Sequence, residues 1–127
     1  MINRLIFFSA ALVVCFSSCT KDHTSQTTCV VCQPTSFKGK IIPIFSVNCA
    51  IAGCHDAQDM AGGLVLDSAS AYSSIFNAGY VSDSASNSIL YTTLLQGATQ
   101  RMPQVGSLDN CSIHEIYCWI QEGAPNN

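Results

Sequence analysis

Four stretches of the chain repeat apolar residues at helical spacing, and polar, glycine-containing loops separate them. In residues 41–48, Ile41, Ile44 and Phe45 share a face with Ile42 beside them. Pro43 suits the first turn of a helix there, because its missing N–H would find no partner in that turn anyway. Residues 69–76 predict a second, short helix with Tyr72, Ile75 and Phe76 inward. Residues 88–95 predict a third, with Ile89, Leu90, Leu94 and Leu95 apolar and Ser86 or Asn87 as its cap. Residues 112–121 are the core of a fourth. Ile113, Ile116, Tyr117 and Ile120 recur at its spacing, Asp109 is placed to cap it, and Gly123 stands just past its end. Leu64-Val65-Leu66 is a short extended or buried piece. No run alternates with the period of a strand, so the expected class is all-α.

The first residues follow a different pattern. Arg4 precedes an apolar region over 5–16, interrupted only by Ser9, then Ser17, Ser18 and Cys19. The run is too short to span a bilayer with normal flanks and fits a secretory signal over 1–18. Phe16-Ser17-Ser18-Cys19 resembles a bacterial lipobox, in which the cysteine becomes the lipid-bearing first residue. Cys15, with Val13 and Val14 before it, fits that role less well, and a plain cleaved signal is the blander alternative. Residues 19–35, rich in Ser, Thr and Gln, read as a lipidated tether, and 36–127 as one domain.

The formal charge is −3 and only 10% of residues are charged. With no basic patch, nucleic acid is not an expected partner. No Ser/His/Asp array, phosphate-cradling glycine loop or carboxylate pair points to hydrolysis or group transfer, so an enzyme is not expected. Eight cysteines in so short an exported chain imply an oxidising compartment, in the cell envelope facing the periplasm or exterior.

The candidate chemistry lies in Cys49-Ala50-Ile51-Ala52-Gly53-Cys54-His55. Two thiols followed at once by an imidazole is the arrangement that attaches haem c. The thiols add to the vinyl groups and the histidine ligates the iron. The usual spacer has two residues and this one has four, which Gly53 and the small Ala50 and Ala52 permit if the extra residues bulge. Met102, followed by Pro103, is the candidate second ligand. Met60 follows His55 too closely to pass around a haem edge. A structural disulfide between Cys49 and Cys54 with a surface histidine, or a zinc site short of its fourth ligand, are the competing readings. His23 and His114 are not well placed to complete such a zinc site.

The remaining cysteines are Cys29, Cys32, Cys111 and Cys118. On a helix, Cys111 and Cys118 lie almost two turns apart, about 10 Å along the axis, on the face opposite Ile113, Ile116 and Ile120. They cannot bridge each other. Cys29 and Cys32, in a β-branched and extended stretch, are also about 10 Å apart. Matching reach predicts that the N-terminal segment is stapled along the C-terminal helix by two disulfides. The pairing is either 29–111 with 32–118 or 29–118 with 32–111. A local Cys29–Cys32 disulfide with Cys111 and Cys118 free is the blander alternative, and a redox-active CxxC or a metal site built from these four is a third reading, less favoured because no thioredoxin-like βαβ pattern surrounds Cys29.

Taken together, several blocks resemble a family. Ile42-Pro43-Ile44-Phe45 followed by Asn48-Cys49 and Cys54-His55 is similar to the opening of small cytochrome c domains in exported bacterial proteins. Arg101-Met102-Pro103 is similar to their distal loop. Leu108-Asp109, then Ile113, Ile116, Trp119-Ile120 and Gly123-Ala124-Pro125-Asn126, is similar to their closing helix. The resemblance covers about 37–127. It implies a cytochrome c-like helical fold around one covalent haem, with Cys49 and Cys54 as thioethers, His55 proximal and Met102 distal. Such a protein passes single electrons between exported redox partners at a membrane surface. The alternatives are a haem-free or haem-structural accessory binding module of a cell-envelope complex, or, if Met102 does not bind iron, a small haem peroxidase or gas sensor.

Overall fold

The computed structural model describes Cys29 and residues 31–127. The signal segment, Cys15, Cys19, His23 and most of the tether lie outside the described residues. Among the described residues there are helices and turns and no strand, and no helix is long and apolar enough to cross a membrane.

A π-helical turn, Phe37–Ile41, leads into α1, Ile42–Asn48, with Pro43 in its first turn. The Ser36 hydroxyl accepts from the Gly39 N–H at 3.1 Å and starts the turn. Phe37, Ile41 and Phe45 recur every four residues and are all buried, so this face enters the core. Leu64 and Leu66 are buried with Val65 half-buried between them, as an extended piece requires. Helix α2 spans Ala71–Asn77 and α3 spans Ile89–Thr92, the latter after a 3-10 turn at Ala85–Asn87. Helix α4 spans Asn110–Gln121.

Trp119 on α4 is fully buried and organises the core. Its ring lies 5.1 Å from Phe37, 6.4 Å from Tyr72 and 6.5 Å from Phe76. Its indole N–H donates to the Pro125 carbonyl at 2.9 Å, so the one polar atom of a buried ring is satisfied. The Tyr72 hydroxyl donates to the Ala124 carbonyl at 3.0 Å. Asn127 closes the domain on its own start: its carbonyl accepts from the Lys38 N–H and its side chain from the Phe37 N–H.

Helix α3 is shorter than the 88–95 pattern suggests, and neither Ser86 nor Asn87 caps it. Ser88 occupies the N-cap, but its buried hydroxyl accepts from the Ser82 N–H at 2.9 Å and donates to the Ser84 carbonyl at 2.7 Å. That hydroxyl ties down the preceding loop instead of the helix. The Thr92 and Thr93 hydroxyls bond back to the Ser88 and Ile89 carbonyls, which competes with continuing the helix. Phe76, Ile89 and Leu95 are partly exposed; Phe76 stacks at 4.5 Å on Tyr72 rather than entering the core fully.

The N-terminal segment lies along α4. Cys29 is bonded to Cys111 and Cys32 to Cys118, with Cα separations of 5.2 and 5.3 Å. A local Cys29–Cys32 bridge is therefore excluded, and the strap runs in the same direction as the helix. Further along, the Thr35 N–H donates to the Glu122 carboxylate at 2.8 Å and its hydroxyl to Glu115 at 3.3 Å. Cys118 does not lie on an outer face. It is 2% exposed, because the strap covers that side of the helix.

Candidate functional site

Helix α1 stops where the Phe45 carbonyl accepts the N–H groups of both Cys49 and Ala50, each at 2.8 Å. Residues 50–53 then turn back. The Cys54 N–H reaches the Ile51 carbonyl at 2.9 Å, and the His55 N–H reaches the Cys49 carbonyl at 3.0 Å. Gly53 has φ +81°, a left-handed conformation that a residue with a Cβ adopts only under strain, and its N–H donates to Asp59. The four-residue spacer is thus a closed loop that holds Cys49 and Cys54 near each other. Burial, and then the neighbouring Cys54, push the Cys49 thiol up to about 11. Both thiols are half-buried and neither is in a disulfide.

The His55 backbone is pinned from both sides. The Leu66 N–H donates to its carbonyl at 2.8 Å, and the Ala61 N–H donates to the adjacent Cys54 carbonyl at 2.8 Å. Its side-chain Nδ1 is buried and has no hydrogen-bond partner. The second arm of the site is the loop after α3. The Met102 N–H donates to the Thr93 carbonyl at 2.8 Å, which fixes the loop to the end of α3, and the Met102–Pro103 peptide is cis.

Of these two arms, His55 and Met102 come to one space, and Cys49 and Cys54 are not among the residues that line it. A cavity of about 550 Å³ is lined by His55 and Met102, together with Ala61, Gly62, Tyr80, Arg101 and the polar Thr99, Gln100 and Gln104. That volume lies in the usual range of a small-molecule or cofactor site. Arg101 is not a free surface cation. Its guanidinium donates to Gln96 Oε1 at 3.0 Å and to the Gly106 carbonyl. Met60 does not line the cavity. It is exposed, with a left-handed backbone at φ +44°. Trp119 belongs to the core, and Tyr117 is half-buried beside Tyr91, with ring centroids 5.4 Å apart. Sequence reasoning missed Tyr80, which is held by its N–H to Ile75 and its carbonyl to Leu90. It sits in a loop, where no periodicity singles out a wall residue.

His114 stands elsewhere, with its Nε2 at 3.4 Å from the Cys118 sulfur. It takes no part in the cavity. No protein-family model, curated protein or solved structure matches this chain.

Proposed function

We propose that this chain is an exported, lipid-anchored monohaem cytochrome of the c type that carries single electrons between redox partners. The observation that carries the reading is the shared cavity: His55 and Met102, far apart in sequence, line one space of about 550 Å³. Imidazole nitrogen and thioether sulfur are the donor pair of a six-coordinate electron-transfer haem. Cys49 and Cys54 do not line that space, although Cys54 adjoins His55 in the chain, and two further observations support the reading. A buried imidazole nitrogen without a partner costs roughly 1–3 kcal/mol, so His55 is not a histidine placed for stability. Cys29, Cys32, Cys111 and Cys118 are paired in disulfides, whereas Cys49 and Cys54 keep their thiols although they are neighbours. Haem c bound here would supply a one-electron iron couple.

The chain's own residues have distinct parts in this reading. Cys49 and Cys54 would hold the haem as thioethers. The closed 50–53 loop sets the distance between them, and the two backbone bonds beside His55 aim its ring. Met102 would hold the iron together with His55, a donor pair suited to electron transfer rather than to substrate binding. Arg101 puts a positive charge on the cavity wall, suited to an anionic edge of the cofactor. Cys19 provides the lipid, so partners are exported redox proteins met at a membrane surface.

The test is expression alongside cytochrome c maturation machinery, then denaturation and acid–acetone extraction. Colour that stays with the polypeptide, with sharp bands on reduction, is expected. Colourless protein from cells that mature other c-type cytochromes would overturn the reading and favour a haem-free binding module.

A further inference from the structure

A second set of metal-binding atoms lies apart from the cavity, under the strap. The sulfurs of Cys32 and Cys118 and a ring nitrogen of His114 all lie within 4.8 Å of one another. We propose that this cluster is a redox-gated zinc clasp: closed by the Cys32–Cys118 disulfide when oxidised, and by Zn²⁺ on Cys32, Cys118 and His114 when reduced.

The geometry is close to what the ion needs. A tetrahedral zinc holds imidazole nitrogen at about 2.0 Å and thiolate at about 2.3 Å, which separates the two ligand atoms by about 3.6 Å. His114 Nε2 and Cys118 Sγ are already 3.4 Å apart. They are four residues apart on α4, so the helix itself fixes that spacing. The imidazole is also held from behind, stacked on Tyr117 at 5.8 Å between ring centroids. The third atom has to move. Two thiolates on one zinc stand about 3.8 Å apart, against about 2.05 Å in a disulfide, so the sulfurs separate by about 1.7 Å. Cys32 is exposed and lies in the strap outside any helix, where so small a shift is absorbed easily, whereas Cys118 is buried and fixed on α4. The fourth position goes to water.

The chemistry balances with a dithiol as reductant. Its thiolate attacks the sulfur of Cys32, the exposed residue of the pair, and the Cys118 sulfur leaves as thiolate beside His114. The second thiol of the reductant then displaces Cys32, leaving two protein thiols and one cyclic disulfide. Zn²⁺ displaces the two thiol protons when it binds. The strap therefore stays on α4 in both states, held by a covalent bond in one and by an ion in the other.

The test uses the full chain carrying Cys15→Ser, Cys19→Ser, Cys49→Ser and Cys54→Ser, so that only the cysteines joining the strap to α4 offer thiols and the result does not depend on haem. The protein is reduced with dithiothreitol, desalted under argon and titrated with Zn²⁺, and with Co²⁺ for its thiolate charge-transfer absorption. One ion per reduced chain, none per oxidised chain, and a rise in Tm with zinc are expected, because an ion that binds the folded state stabilises it. His114→Ala, at a half-buried site, should weaken uptake at least tenfold and abolish the rise in Tm. Cys29→Ser with Cys111→Ser should leave uptake in place. Absence of stoichiometric uptake, equal uptake by His114→Ala, or uptake with no rise in Tm would each overturn the clasp. So would loss of uptake in the Cys29/Cys111 variant.

Discussion

The two sides of this molecule are built in opposite ways. Around α4, a regular helix is buried against aromatic rings, capped at its start and tied to the strap by two disulfides. Around the cavity, the wall is made of turns: the 50–53 loop, the 3-10 turn at Ala61–Gly63 and the loop carrying Met102. The first side holds its shape through its own bonds. The second leaves a buried nitrogen unpartnered and two thiols unpaired. The difference teaches where stability is kept when a wall is irregular: a small domain fastens one face covalently and leaves the other to turns held by single backbone bonds.

Disulfide removal should break that contrast most severely. The bridges join residues 82 and 86 apart in sequence. Closing the first such loop is worth about 4.5 kcal/mol by chain entropy. With one in place, the second closes only a small ring and adds about 2.7 kcal/mol. Losing either alone, as in Cys29→Ser with Cys111→Ser, should therefore cost much less than losing both, which urea titration of the single and double knock-outs reads directly. Equal costs for one and both would mean the strap is not acting as a paired clasp. Trp119→Ala comes next, at about 3–5 kcal/mol, because it leaves a hole among Phe37, Tyr72 and Phe76.

Asp109→Ala is a smaller probe of the same face. The Asp109 carboxylate accepts from the Cys111 and Ser112 N–H groups and from the Ser112 hydroxyl. Removing such a cap costs about 1 kcal/mol. The Ser112 hydroxyl and N–H hold this carboxyl below its ordinary range. Its contribution is therefore present above the unfolded-state value and lost as pH falls through the lowered one, so the wild-type and Asp109→Ala curves should converge in acid. Least effect on stability is expected on the cavity side. His55→Leu should be neutral or slightly stabilising in the haem-free chain, since it deletes an unpartnered buried nitrogen. Met102→Ala should leave helical content unchanged while lowering the reduction potential of the haem-loaded protein markedly. An unchanged potential would remove Met102 from the iron.

What the sequence reveals divides along the same line. Helix α4 was legible end to end, from Asp109 through the Ile116 and Ile120 spacing to Gly123, because period, cap and stop signal agree there. The matched reach of 29–32 and 111–118 announced the strap, but spacing alone has no direction, so the pairing came only from the structure. The shortening of α3 was hidden because Ser88, Thr92 and Thr93 act through side-chain bonds that periodicity does not register. His55 and Met102 were visible as ligand types. Tyr80 and the polar wall at Thr99, Gln100 and Gln104 were not, since loop residues are brought together by tertiary folding. The contact between His114 and Cys118 follows from their four-residue spacing, yet it gained meaning only once Cys32 was placed beside them.

The most direct test of the central claim is the intact mass of the mature, non-reduced protein, taken under denaturing conditions after alkylation. The account predicts one haem added, no alkylated thiol and two intact disulfides. A mass lacking haem, with two alkyl groups mapping to Cys49 and Cys54 in protein from maturation-competent cells, would contradict it.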